Sequence, residues 1–217
     1  MIRKISILLI AGFVIGAGGW LLMPSQGSQM PQLGAANAQT VDADPSAITD
    51  MTLGEADAPI TVIEYASYTC PHCRTFHEGP FKELKAEYID TGKVEFIYRE
   101  VYFDRFGLWA SIVARCGGQD RFFGISDLIY EQQRTWTQGQ PADIAENLRR
   151  IGLTAGLTNE EVDACFSDGD KAQNLVAWYE ANAAEDGVRS TPTFIIDGVS
   201  YSNMSMEEFR RILDGKL

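Results

Sequence analysis

Positive charge and histidine are scarce in this chain: 18 lysines and arginines stand against 30 aspartates and glutamates, with only two histidines. The resulting net charge of −12 sets up a field that repels polyphosphate backbones and argues against nucleic acid as a partner. Cysteine is sparse as well, at four residues. A zinc site built on Cys70 and Cys73 could take His77 as a third ligand, but a fourth is hard to find. Cys116 and Cys165 stand alone rather than as a second pair, and His72 and His77 are the only histidines. Long apolar stretches are also rare. The one prominent run, Ile5 to Met23, follows Arg3 and Lys4 and reads as an export signal. It exceeds the roughly 7 to 15 residues of a secretory h-region, and the small-residue site Ala36-Asn37-Ala38 lies well downstream. Cleavage after Ala38 and retention as a membrane anchor both fit, and residues 1–38 are assigned to this leader and linker. Either outcome places the remaining chain outside the cytosol, where disulfides persist.

With 217 residues, 45% of them hydrophobic, the chain can bury one good core or one core plus a subdomain. Pro24 to about Ser46 has no hydrophobic period and reads as linker. A short strand around Met51 to Leu53 precedes the breaker Asp57-Ala58-Pro59, and a second strand carries Glu64. Phe76, Phe81, Leu84 and Tyr88 recur at helical spacing, which predicts a helix from Cys70 to about Thr91, kinked at Pro80. Val94, Phe96 and Tyr98 alternate with polar or outward residues and mark a third strand, parallel to the second through a right-handed crossover. From about Phe106 to Asp186 the pattern is helical throughout, including a capping box at Thr158 and Glu161 and a last helix from about Lys171 to Ala184. Strands return at Phe194 to Ile196 and Val199 to Tyr201 around the turn pair Asp197-Gly198, and a helix capped by Ser205 closes the chain. The expected fold is α/β, a mixed sheet built from residues 47–104 and 188–217, with an all-helical insertion over 105–187.

Residues 70 to 73 read Cys-Pro-His-Cys, directly after a strand and directly before a helix. That places Cys70 at a helix N-terminus, where unpaired backbone N–H groups and the positive dipole end stabilise a thiolate. Pro71 falls at the first helical position, where its missing N–H costs nothing. Cys73 follows one turn later and can resolve a mixed disulfide formed at Cys70. The pattern points to thiol-disulfide exchange, with His72 favouring the Cys70 thiolate. A structural disulfide between these two would close too short a loop to stabilise much.

The Cys-Pro-His-Cys tetrapeptide six residues after Glu64, the helical block, and the segment Val188-Arg189-Ser190-Thr191-Pro192-Thr193-Phe194 together resemble the DsbA family of periplasmic thiol-disulfide oxidoreductases, which have a thioredoxin-like fold. The resemblance covers about Met51 to Leu213. It implies a redox-active pair at Cys70 and Cys73, a cis-proline at Pro192 facing Cys70, and backbone groups of Thr191 offered to an extended substrate peptide by strand addition. It also suggests Glu64 as a buried proton carrier for Cys73, against the alternative of a plain strand-surface carboxylate. No cofactor and no metal are implied. The implied partners are unfolded or partly folded exported proteins and a quinone-linked membrane reoxidant of the DsbB type. A threonine before the proline resembles the disulfide isomerase branch, whose members carry an N-terminal dimerisation domain; here the ordered part is expected to start about 20 residues before Cys70. The expectation is a monomeric oxidase, with isomerase or reductase activity and a zinc-binding module as alternatives. Cys116 and Cys165 lie in two different helices and are expected to pair in an oxidising compartment; the alternative is two buried free thiols.

Overall fold

The computed structural model describes residues 43–217. The apolar run at Ile5 to Met23 and most of the linker that follows it lie outside the described residues. A single 3-10 turn, Pro45–Ala47, leads into the first strand.

Five strands form one mixed sheet in the order β1-β3-β2-β4-β5: β1 (Met51–Leu53), β2 (Ile60–Ala66), β3 (Val94–Glu100), β4 (Thr193–Ile196) and β5 (Val199–Ser202). β2 and β3 pair in parallel, with Val62 opposite Phe96 and Glu64 opposite Tyr98, as a strand-helix-strand crossover requires. β4 runs antiparallel to β2 and sets Phe194 opposite Glu64. The side chains of Ile60, Val62, Glu64 and Ala66 share one buried face of β2, a period-two pattern interrupted by one carboxylate. The β4–β5 hairpin turns at Asp197 and Gly198, both with positive φ, the geometry that matches strand twist. Asp197 Oδ1 also accepts the Thr61 N–H at 2.9 Å and ties the turn to β2.

The sequence predicts one kinked helix from Cys70 to Thr91, and here the structure differs. The segment breaks into α1 (Pro71–Glu78) and α2 (Pro80–Leu84), followed by a wide π turn at Lys85–Ile89. Gly79 sits at φ −129°, ψ −90°, outside the helical basin, so the Gly-Pro pair ends α1 rather than bending it. Pro80 then starts the next helix at its first position, where an N–H is not needed. The apolar stripe survives the break: Phe76, Phe81, Leu84 and Tyr88 are all buried.

Between β3 and β4 lie six helices: α3 (Arg105–Cys116), α4 (Gly118–Glu131), α5 (Gln133–Trp136), α6 (Pro141–Thr154), α7 (Asn159–Ser167) and α8 (Gly169–Glu185). Thr158 and Glu161 cap α7 reciprocally, and Gln140 with Asp143 does the same for α6. α9 (Met206–Asp214) is capped by Ser205 and packs Phe209 against Phe76 and Phe194 beneath the sheet. Cys116 at the end of α3 and Cys165 in α7 are disulfide-bonded across a separation of 49 residues. Closing a loop of that size removes roughly 3 to 4 kcal/mol of denatured-state freedom in the chain-entropy model. The double replacement Cys116→Ala/Cys165→Ala is expected to lower unfolding free energy by roughly 2 to 4 kcal/mol in a urea titration. An unchanged midpoint would mean that the helices hold without the bond.

One buried ion pair joins the sheet to the insertion. Arg115 on α3 donates from Nε and Nη2 to the two carboxylate oxygens of Glu100 at 2.6 Å each, and Ser111 Oγ adds a third bond at 2.8 Å. Arg115 also donates to the Thr49 carbonyl at 2.9 Å and lies over the Trp178 ring. Both side chains are almost fully buried, so each charge depends on the other.

Candidate active site

β2 ends at Ala66, and the four residues after it turn the chain into α1. The turn closes with the Cys70 N–H donating to the Ser67 carbonyl at 3.0 Å. Gln133, on α5 of the insertion, donates its side-chain N–H groups to the Tyr68 carbonyl at 2.8 Å and the Cys70 carbonyl at 2.9 Å. One buried amide thus holds both sides of the loop. Asp104, the N-cap of α3, accepts from Thr69 Oγ1 at 2.9 Å and fixes the same loop from outside.

Cys70 is the N-cap of α1, with extended backbone angles and Pro71 at the first helical position. The pair is present as two thiols, and they differ sharply in environment. Cys73 is 0% exposed, whereas Cys70 retains 9%. The hydrogen bond from Cys73 does most to lower the Cys70 pKa, which falls from 9.0 to about 5 against an opposing desolvation effect. Thr191 and the backbone N–H groups of Cys73 and His72 add to it. Burial pushes the Cys73 pKa strongly up, and its hydrogen bond to Cys70 and the negative charges of Glu64 and Cys70 add to the rise. The two sulfurs are thereby divided into a favoured thiolate at Cys70 and a buried thiol at Cys73.

His72 is exposed, and its backbone N–H is among the groups that favour the Cys70 thiolate. Thr191-Pro192 is a cis peptide, and the Thr191 carbonyl lies 3.5 Å from Cys70 Sγ. Thr191 Oγ1 has no other partner among the described residues, so its hydroxyl can turn toward the thiolate. Glu64 is fully buried, and burial raises its pKa, with the nearby His77 opposing. His77 Nε2 lies 2.8 Å from Glu64 Oε2, which turns the third ligand of the zinc reading toward a carboxylate instead of the cysteines.

The sequence reading missed Gln133 and did not join His77 to Glu64. Gln133 carries no local signal, since its partners are about 65 residues away in the chain. The second was in reach: Cys73 and His77 are four apart and share a helix face, and Glu64 lies on the apolar face of β2.

The Cys70 shift has a measurable consequence. A group whose folded pKa is depressed adds stability above its unfolded pKa, and that stability is lost as pH falls through the folded value. The reduced protein should therefore gain on the oxidised one as pH rises from about 5 toward 9. Halved for the solvent that screens this partly exposed sulfur, the gain at pH 7 is about 1 to 2 kcal/mol. Parallel thermal melts of the two redox forms would show it, and a gap that widens toward pH 5 would contradict it.

A thioredoxin family profile matches residues 46–215. A Rickettsia bellii protein named as a candidate protein-disulfide oxidoreductase is 37% identical over 166 residues, 76% of this chain and 63% of that protein. The chain thus spans less than two thirds of that relative's length. Disulfide bond formation protein D of Bacillus subtilis is 25% identical over 187 residues, covering 82% of this chain and 81% of its own. Among solved structures, Wolbachia pipientis alpha-DsbA1 superposes with a TM-score of 0.71 at 27% identity, over 77% of this chain and 90% of that one.

Proposed function

The chain belongs to the DsbA-like branch of the thioredoxin family, and from that premise we propose that it is a protein-disulfide oxidoreductase that donates the Cys70–Cys73 disulfide to exported proteins. The observation that carries this reading is the asymmetry of the pair: a Cys70 thiolate held near pKa 5 beside a fully buried Cys73 thiol. Stabilising the thiolate stabilises the reduced enzyme and makes its disulfide the stronger oxidant.

A substrate thiolate attacks Cys70 Sγ, and Cys73 leaves as a thiolate that takes a proton inside the protein. A second substrate thiolate then attacks the substrate sulfur of the mixed disulfide, and Cys70 leaves as the stabilised thiolate. Cys70 and Cys73 are the reacting groups in this scheme. Thr191 and cis-Pro192 present backbone to an extended peptide beside Cys70, a mode that holds many sequences without reading their side chains. Glu64 is the proton carrier for Cys73. The proposed partners are unfolded or partly folded exported proteins and a quinone-linked membrane reoxidant of the DsbB type, with the protein acting as a monomer in the periplasm.

Isomerase activity is the second reading, favoured by Thr191 and its unpartnered hydroxyl. Two assays separate them: oxidation of a reduced, unfolded substrate by the oxidised chain, and reshuffling of a scrambled substrate by the reduced chain. The oxidase reading expects fast, stoichiometric disulfide donation and slow reshuffling. The reverse ratio would replace it with the isomerase reading.

A further inference from the structure

Cys73 must gain a proton when its disulfide opens and lose one when it closes, yet it is 0% exposed. Glu64 is the acid closest in function to it, and Glu64 is also 0% exposed. A carboxyl that serves one proton per turnover has to be recharged from solvent, and the only polar route leaving Glu64 among the described residues runs through His77. Its Nε2 meets Glu64 Oε2 at 2.8 Å, while its Nδ1 has no protein partner among those residues. The ring stacks on Tyr130 at 4.3 Å between centroids and only 14° between planes, so its orientation is fixed. His77 also lines a surface groove of about 460 Å³ together with Glu78, Lys82, Asp127 and Glu131, while Nδ1 itself is buried.

We propose that His77 is a positioning residue that passes protons between Glu64 and the groove, so that the buried carboxyl can serve Cys73 in every exchange cycle. The inference deepens the oxidoreductase reading above and rests on it for the direction of turnover only. The balance is closed at each step. When Cys73 leaves as a thiolate, Glu64 gives it a proton and becomes a carboxylate; His77 gives the Nε2 proton to Glu64 and takes one at the buried, unpartnered Nδ1 from a water that enters from the groove and leaves as hydroxide. Reoxidation runs the same transfers backward. Imidazole suits the task because its two nitrogens can accept on one side while donating on the other near neutral pH.

The surroundings leave no competing carrier. Glu64 faces the ring from β2, Tyr98 from β3 and Tyr130 from α4, while Phe81 covers it from α2. Tyr98 and Tyr130 hydrogen-bond each other at 2.6 Å, and burial first of all pushes both phenols well above the ordinary range, so they keep their protons. Cys73 shares the α1 face of His77. The remaining charges, Lys82, Asp127, Glu78 and Glu131, stand on the groove side.

The test uses the full chain and its variants His77→Gln, which keeps an amide donor toward Glu64, and His77→Ala, which opens a site for added imidazole. Stopped-flow measurement of dithiol exchange across pH is paired with the redox equilibrium of each protein. Loss of general acid–base assistance predicts exchange slower by roughly tenfold to a hundredfold in His77→Gln, with the deficit growing as pH rises and free protons become scarce. The equilibrium is expected to stay within about threefold, and imidazole should restore much of the rate of His77→Ala. Wild-type rates in His77→Gln at every pH would overturn the proposal. So would a slowing that is independent of pH and insensitive to imidazole, which is the signature of a structural role. Should the wild-type pair prove a reductant, the oxidase reading alone fails, and the same comparison is made in the reducing direction, because Cys73 exchanges its proton either way.

Discussion

Replacing Cys73 by Ser leaves a protein that holds a one-thiol substrate on Cys70 and cannot rebuild its own disulfide. Cys70 remains the N-cap of α1 and keeps the backbone N–H groups of residues 72 and 73 that favour its thiolate. Supplied as a mixed disulfide, this variant cannot regenerate an internal disulfide, so catalytic oxidation of a dithiol peptide is expected to fall to the uncatalysed rate. Offered the disulfide form of a one-cysteine peptide, reduced Cys70 should displace the leaving thiol and remain as a mass-shifted, reductant-sensitive adduct. The buried position of Cys73, 0% exposed, predicts the reverse asymmetry for Cys70→Ser, with no adduct at Cys73. Adducts of equal yield on the two variants would mean that the sulfurs do not have separate roles.

The second large effect is on stability, at the junction between the sheet and the insertion. Arg115 and Glu100 satisfy each other bidentately inside the protein, with Ser111 and the Thr49 carbonyl completing the set. Removing one partner strands the other charge away from water. Arg115→Met or Glu100→Leu is expected to cost roughly 3 to 5 kcal/mol, whereas the double variant, which removes both charges, should recover much of that loss. For a domain of this size each kcal/mol corresponds to roughly 2 to 4 °C, so the single variants should melt roughly 6 to 20 °C lower. The test is a double-mutant cycle by thermal melting. Additive losses would show that the two side chains act independently and that the pair does not lock the insertion to β3.

Both predictions draw on features that the sequence discloses unequally. The strand-to-helix placement of Cys-Pro-His-Cys, the alternation along β2 and β3, the Asp197-Gly198 hairpin and the caps at Thr158 and Ser205 are local patterns, and local patterns carry their own physical signature. The segment from Val188 to Phe194 became informative only together with the cysteine pair, because nothing local shows that Thr191 meets Cys70 121 residues earlier. The break at Gly79 was read too mildly: proline after glycine ended the helix instead of bending it. The polar groups that hold the site were the hardest to read. Gln133, Arg115 and Glu100 look in sequence like solvated residues on helices and a strand, and each is buried. Their partners are fixed by how the insertion packs on the sheet, which periodicity does not encode. His77 shows the opposite error. It was noticed, but for its ligand chemistry beside two cysteines, and its actual neighbour is a carboxylate on β2.

The departure at Thr191 bears on the same chemistry. Thr191 is among the groups that lower the Cys70 pKa, and an apolar side chain there would leave the Cys73 thiol and the backbone N–H groups of residues 72 and 73 to hold the thiolate. The Cys116–Cys165 bond lies in the insertion, on α3 and α7, away from the exchanging pair, and its part is to hold those helices together.

The central claim is that the stabilised Cys70 thiolate makes the pair an oxidant, and the most direct test is its redox equilibrium. The chain from Gln39 onward would be equilibrated with glutathione buffers at neutral pH, quenched with acid and scored by thiol trapping of Cys70 and Cys73. The account predicts a potential near about −120 mV, well above the glutathione poise, with the disulfide readily given up. A potential near about −270 mV would make the pair a reductant in need of an electron source and would contradict the account.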